Sequence, residues 1–254
     1  MMISWKRTAK ATLLGLGLMV AASNQADAGL ILSAEAAGVQ ASTVSGVTTE
    51  SFNEYTAGKY PSLNGVATSV GTLTSPEVAI QAADQYGGAG GTGNYFAVGA
   101  QSGTTSATLA LNGAQAYFGF WWSAADANNS IDFYSAGKYL GSFSASAAMA
   151  ALGSAYNGNP NGTGDAGEKF AYLNVTGTNG TTIDEVVFRN STLTTGFELD
   201  NLSIKSTDAA GPSGTIITNG ILVPEPSSLV MASIAGLIGT GTWLGNRRRT
   251  AAKA

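Results

Sequence analysis

Between positions 29 and 205 the apolar residues come in short runs, separated by clusters of Gly, Asn, Asp, Ser and Thr. Aromatic and β-branched side chains fill the runs and turn formers fill the gaps, the signature of many short strands. The pattern predicts strands over 29–33, 66–73, 77–81, 94–100, 106–111, 114–123, 130–134, 138–144, 169–175, 182–189 and 196–205. Along 114–123, Ala116, Phe118, Phe120 and Trp122 alternate with Tyr117, Gly119 and Trp121. Both faces of that strand are apolar or small, so it belongs at the covered centre of a sheet. In 196–205, Phe197 and Leu199 share one face while Leu202 and Ile204 fall on the other. That change of parity predicts a bulge near Asp200 and Asn201. Only 145–152, Ala-Ser-Ala-Ala-Met-Ala-Ala-Leu, reads as helix. About ten strands in one domain predict an all-β, two-sheet β-sandwich of the jelly-roll kind. Its expected core holds Phe118, Phe120, Trp122, Ile131, Phe133, Leu173, Val187 and Phe197.

The loops are equally plain. The stretches 86–94 (Tyr-Gly-Gly-Ala-Gly-Gly-Thr-Gly-Asn) and 156–167 are too rich in Gly and Asn for regular structure. Positions 88–93 match G-x-G-x-x-G, but a strand-like run follows instead of the helix a nucleotide site needs, so the match reads as a loop. Positions 206–223 lack aromatics and read as a linker, with one weak strand at 215–218.

Both ends differ from this body. The first ten residues carry Lys6, Arg7 and Lys10 and no acid; an uncharged Leu-rich run follows and closes on Ala26-Asp27-Ala28. This is the order of a secretory signal peptide over 1–28, with Ala26 and Ala28 in the small-residue subsites of signal peptidase and Gly29 as the new N-terminus. At the other end, Pro224-Glu225-Pro226 precedes an uncharged stretch and then Arg247, Arg248 and Arg249. As a helix, 228–245 would span about 27 Å at roughly 1.5 Å per residue, close to the hydrocarbon thickness of a bilayer. The arginines place its end in the cytoplasm by the positive-inside rule, and the prolines leave an extended peptide just outside the membrane. The organisation is then signal peptide 1–28, β-sandwich 29–205, linker 206–223 and tail 224–254.

Charge follows the same division. Of the 12 basic residues, only Lys59, Lys138, Lys169, Arg189 and Lys205 lie in the body, while nearly all of the 16 acidic residues do. A body so acidic repels phosphate, which argues against nucleic-acid binding. The chain has no cysteine and no histidine. Zinc sites built from those residues, a cysteine nucleophile and a Ser-His-Asp triad are therefore excluded.

The tail resembles that of PEP-CTERM proteins, whose ending is Pro-Glu-Pro, one transmembrane helix and a basic cluster in that order. The resemblance implies recognition of Pro224, Glu225 and Pro226 by an exosortase, a membrane-embedded cysteine protease-transpeptidase. Arg247–Arg249 would supply the stop-transfer charge, and the tail would be removed on the way to the surface of a Gram-negative, exopolysaccharide-producing host. This chain would be the substrate. Within the body, 117–122 (Tyr-Phe-Gly-Phe-Trp-Trp), 129–134, 141–143 and 196–202 resemble a group of exosortase-dependent surface proteins over roughly 94–204. The similarity lapses at 123–128, which reads Ser-Ala-Ala-Asp-Ala-Asn.

Candidate chemistry in the body is confined to oxygen donors. Asp126, Asn128 and Asp132 surround one turn, Asp165 and Glu168 another, and Glu198 and Asp200 lie in the last strand. Calcium needs about six to eight such oxygens to converge, and acids on an acidic surface are otherwise simply solvated. Trp121 has the chemistry to stack on a sugar, although an aromatic in a doubly covered strand belongs to the core. Asp132 and Glu198 are possible members of a glycosidase carboxyl pair. Three functions are thus open: a structural or adhesive surface protein associated with exopolysaccharide, a calcium-dependent lectin, and a carboxylate-based glycosidase. The first is the expectation carried forward, with no catalysis and with signal peptidase, exosortase and the membrane as partners in export.

Overall fold

The computed structural model describes residues 29–61, 65–162, 164–207 and 215–216. The signal-cleavage residues Ala26 and Ala28, the sorting motif Pro224-Glu225-Pro226, the helix read at 228–245 and Arg247–Arg249 lie outside the described residues. Among the described residues no helix is long and apolar enough to cross a membrane.

The strands are β1 (Gly29–Ala34), β2 (Thr48–Glu50), β3 (Gly58–Pro61), β4 (Val66–Ala67), β5 (Gly71–Thr74), β6 (Glu77–Ala82), β7 (Asn94–Gly99) and β8 (Ser106–Gln115). They continue as β9 (Tyr117–Ala125), β10 (Asn129–Ser135), β11 (Lys138–Ser144), β12 (Lys169–Thr178), β13 (Ile183–Asn190), β14 (Gly196–Lys205) and β15 (Thr215–Ile216). One short helix, α1 (Ala145–Ala151), follows β11 and is capped by Ser144, whose hydroxyl accepts from the Ala147 N–H. Every pairing is antiparallel. A nine-stranded sheet runs β15-β1-β12-β9-β14-β7-β6-β3, with β2 also on β14, and a six-stranded sheet runs β11-β10-β13-β8-β5-β4.

The sheets meet through one continuous apolar cluster. Phe118, Phe120 and Trp122 on β9 and Phe197 and Leu199 on β14 face Ile131, Phe133, Phe143, Val186 and Phe188 of the six-stranded sheet. Trp122 and Phe197 lie 5.1 Å apart between ring centroids, and Phe133 and Phe143 stack at 5.6 Å. All nine residues of β9 are buried, as its two apolar faces require. Its outer face is covered by loops, not by a third sheet. There Trp121 packs with Phe170 and Tyr172, and Tyr117 donates to Asn174 at 2.5 Å. Glu35 ties the covering segment down by accepting from Thr43 Oγ1 at 2.7 Å and from Asn174 Nδ2 at 3.1 Å.

The expected bulge is present. Asp200 pairs with Trp121 and Ser203 with Gly119, so β14 spends one more residue than β9, and Asn201 takes a φ of 47°. The extra residue lets Leu199 and Leu202 both face the core. Other expectations need correction. The run 114–123 is not one strand: β8 ends at Gln115 in the six-stranded sheet and β9 begins at Tyr117 in the other. The corner is Ala116, whose N–H donates to Lys205 O and whose carbonyl accepts from Gly177, both at 2.9 Å. The run 66–73 is split into β4 and β5 by a turn in which Thr68 and Gly71 exchange backbone bonds. Val187 is buried at 7 % exposure but points away from the inter-sheet cluster. A register shift between Ile183 and Glu185 turns Val186 and Phe188 inward instead.

The register also gives the nine-stranded sheet two distinct ends. Gly29 opposite Thr178, with Tyr117 opposite Thr176 and Lys205, marks one end. Lys169 opposite Ala125 and Gly196 opposite Gly99 mark the other.

Candidate functional site

At that second end, on the loop-covered face of the nine-stranded sheet, lies a cleft of about 310 Å³. Its acids come from three segments: Asp126 just after β9, Glu168 just before β12, and Glu198 on β14. Ala100 and Ala124 supply apolar lining, Gln101, Thr194 and Thr195 polar lining, and Tyr86 stands with them at 40 % exposure.

Each side chain is placed by the local fold. Strand alternation puts Phe197 and Leu199 in the core and Glu198 on the opposite face, directly across from Ser123 of β9. Glu198 is only 3 % exposed and accepts from Gln101 Nε2 at 2.6 Å. Gly196 makes room for that pair, because a Cβ there would collide with Glu198 Oε1. Ala124 has a φ of 44°, and the register shifts between Ala125 and Trp122, which turns the end of β9 toward the cleft. Asp126 then opens a turn: its carbonyl accepts from Asn129 N and its N–H donates to Asn129 Oδ1 at 3.1 Å. Glu168 closes another turn through its N–H to Asp165 O at 3.0 Å. The Thr194–Thr195 loop is held by Asn190 Nδ2 and Ala100 N, both donating to Thr195 O at 2.9 Å. Asp84 Oδ1 accepts from the Tyr86 and Gly87 N–H groups and shapes the loop that presents the tyrosine.

Two of the cleft's carboxyls, Glu198 and Glu168, hold their protons more tightly than free carboxyls do. Burial pushes Glu198 up to about 8, against the lowering bond from Gln101, and the charges of Asp126 and Glu168 add to the rise. Glu168 is pushed to about 7 by burial first, then by Asp165 and Asp126. Asp165 is raised by burial and by Asp84. Glu168 Oε2, Asp165 Oδ2, Gln101 Oε1 and Ser123 Oγ are buried without a hydrogen-bond partner among the described residues. A protonated carboxyl donates as well as accepts, so the cleft offers both halves of a hydrogen bond to a hydroxyl-bearing ligand.

The candidate acids fall in different places. Asp126 and Glu198 share the cleft, and Asp165 reaches it electrostatically through Glu168. Asp200 does not contribute: its Oδ2 accepts from Ala89 N at 2.7 Å and its Oδ1 from Asn201 N at 2.6 Å, so it fastens a covering loop to the bulge. Burial lifts Asp200 to about 7. Asp132 lies on the outer face of the six-stranded sheet, on the far side of the core, where it pairs with Arg189 Nε at 2.5 Å. A carboxyl pair of Asp132 with Glu198 is therefore ruled out by position, because Ile131 and Phe133 beside Asp132 occupy the core. Among the described residues, no three His, Cys, Asp or Glu side chains converge closely enough to hold a metal ion. Trp121 is 1 % exposed and packed, hence closed to a sugar. Sequence reasoning missed Tyr86, Gln101 and Gly196. The signal for Tyr86 was an aromatic standing alone in a glycine-rich loop; Gln101 gave none.

Neither family models nor curated proteins match this chain.

The raised acids give a signed expectation for pH. Glu198 binds its proton more tightly folded than unfolded, so its contribution to stability is complete below about 4.5 and is lost as pH rises toward 8. Glu168 and Asp200 act in the same direction. The melting temperature is expected to fall between pH 5 and 8, at up to roughly 1.4 kcal/mol per pH unit for each of the buried acids Glu198 and Asp200 and by less for the more solvent-screened Glu168. Thermal melts of Glu198→Gln should show a shallower fall and a higher melting temperature than the parent at pH 9. A parent profile that is flat or rises with pH contradicts the buried-acid assignment.

Proposed function

We propose that this chain is an exported bacterial surface protein, an exosortase substrate whose jelly-roll domain has a structural or adhesive role in association with exopolysaccharide. The observation that carries the reading is the order of features from Val223 to Ala254: Pro-Glu-Pro, an uncharged stretch of spanning length, then three arginines. A plain membrane anchor accounts for the helix and the arginines but gives no use for Pro224-Glu225-Pro226. The protein is bound and cut by the export machinery and performs no catalysis of its own.

A second reading, saccharide binding, is favoured by the cleft. An exposed tyrosine beside one buried and two half-buried carboxyls, an amide and threonine hydroxyls offers a stacking face next to donors and acceptors, as a pyranose requires. A glycan array probed with residues 29–216, with and without calcium, tests it. Binding of at least one neutral polysaccharide is expected, weakened about tenfold by Tyr86→Ala, the roughly 1.4 kcal/mol of a modest aromatic anchor. Glycan retention unchanged by both Tyr86→Ala and Glu198→Gln removes the cleft from the account. Retention lost in chelator would restore the calcium-dependent form of this reading.

A further inference from the structure

The cleft is rich in acceptors and negative charge and has no cation of its own. Asp126, Glu168 and Glu198 line it, and no lysine or arginine does. Among the described residues the basic groups are engaged elsewhere. Lys59 pairs with Glu77 and Arg189 with Asp132, Lys169 Nζ donates to Gly153 O at 2.7 Å, and Lys205 Nζ donates to Ser45 O at 2.9 Å. Lys138 stands exposed on β11, in the other sheet. The cleft's own oxygens lack donors. Glu168 Oε2, Gln101 Oε1 and, in the same turn as Glu168, Asp165 Oδ2 are buried without a partner among the described residues. Ser123, 0 % exposed and directly across from Glu198 on the same face of the sheet, has an unpartnered hydroxyl as well. Buried polar groups left unpaired are costly, and their gathering in one place marks a site whose donors come from outside the chain. The carboxyls also press on one another. After burial, and against the lowering bond from Gln101, Asp126 and Glu168 raise Glu198, while Asp165 and Asp126 add to the rise that burial gives Glu168. A positive charge set among them relieves the repulsion and supplies the missing donors.

We propose that the cleft takes the protonated amine of an amino sugar, a glucosamine-like unit of a polysaccharide whose nitrogen is not acetylated. Its ammonium sits among Glu198, Glu168 and Asp126, and its ring lies against the exposed Tyr86. This rests on the saccharide reading of the cleft and names the class of sugar. The donor set favours an ammonium over a metal ion. Calcium needs about six to eight oxygens at roughly 2.3–2.6 Å, and no three acids converge that closely among the described residues. An ammonium has three donors and bonds charged acceptors at about 2.7–2.9 Å, so a wider ring of oxygens holds it. The volume of about 310 Å³ lies at the small end of ligand sites, roughly 300–1,000 Å³, and fits a single unit of a chain better than a long stretch of it. N-acetylation removes the charge and leaves one N–H donor, so the same cleft holds an acetylated or neutral sugar through Tyr86 and hydroxyls alone.

Isothermal titration calorimetry of the full-length protein in detergent micelles, near neutral pH and at physiological ionic strength, tests this. The β-linked trimer of glucosamine is compared with the trimers of N-acetylglucosamine and of glucose, and with trilysine. The glucosamine trimer is expected to bind at least about tenfold more tightly than either neutral trimer, the difference made by a charge-assisted hydrogen bond. Glu168→Gln and Glu198→Gln are each expected to remove that preference. Glu185→Gln, on β13 in the other sheet, is expected to leave it unchanged. Neutral trimers that bind as tightly as glucosamine overturn the amine assignment and leave the saccharide reading standing. Trilysine bound as tightly as the glucosamine trimer overturns it too, as does a preference that survives both cleft substitutions or falls equally with Glu185→Gln, since each shows only attraction to an acidic body. If no trimer binds, the saccharide reading fails and this proposal with it.

Discussion

Trp122→Ala is expected to cost about 3–5 kcal/mol of unfolding free energy, enough to lower the melting temperature by roughly 6–20 °C in a domain of this size. The indole sits at 2 % exposure where three rings converge, with centroids 6.1 Å from Phe120, 6.1 Å from Phe143 and 5.1 Å from Phe197. Those partners come from β9, β11 and β14, so the cavity opens between the two sheets and not within one. A domain with a typical stability of about 5–15 kcal/mol would lose a large share of it. The companion substitution separates packing from polarity. Trp122 Nε1 is a buried donor without a partner among the described residues. Trp122→Phe removes that donor, worth about 1–3 kcal/mol when orphaned, and leaves a smaller void, so the two effects offset. Urea denaturation of both variants checks this: near-wild-type stability for phenylalanine and a steep loss for alanine are expected. Equal losses would show that the indole is held by a bond and not by its volume.

How far the sequence carried this picture depends on how local each feature is. The double burial of β9 was legible because alternation along Phe118, Phe120 and Trp122 against Tyr117 and Trp121 is an intrinsic, residue-by-residue pattern. The bulge at Asp200-Asn201 was legible for the same reason, since a parity change in one strand needs no knowledge of its neighbours. The corner at Ala116 was not, because the strands on either side continue one alternation and only the backbone bonds to Lys205 and Gly177 reveal the change of sheet. β2 and β3 escaped notice because they are short, polar edge pieces without a period-two signal. The site divides similarly. Asp126, Asp165 and Glu168 were legible as acids near turns and Glu198 as an acid of the last strand, but nothing local says that Asp132 belongs to the opposite sheet. Gln101 and Tyr86 reach the cleft through loops whose course depends on pairings such as Gly196 with Gly99, a contact nearly one hundred positions apart in sequence.

Replacing Pro224-Glu225-Pro226 with Ala-Ala-Ala is expected to abolish tail removal while leaving membrane insertion intact. The physical case concerns depth and conformation. A protease at the membrane surface needs an extended strand held at a fixed height, and two prolines beside the proposed span would disfavour helix there. On the proposed reading Arg247–Arg249 would fix the height from below, since drawing each guanidinium into hydrocarbon costs about 2.5–3.5 kcal/mol even on lenient insertion scales. Neutralising the three arginines is therefore expected to loosen retention, a different defect from the uncut but inserted alanine variant. Membrane fractionation combined with immunoblotting distinguishes the two.

Intact-mass spectrometry of the surface-exposed protein, purified from exosortase-positive cells, tests the account most directly. A mature chain that begins at Gly29 and lacks 227–254 is the expected result, with the alanine variant retaining those residues. If the surface form of the unaltered protein still carries Ser227 through Ala254, the tail is only an anchor and the sorting assignment fails.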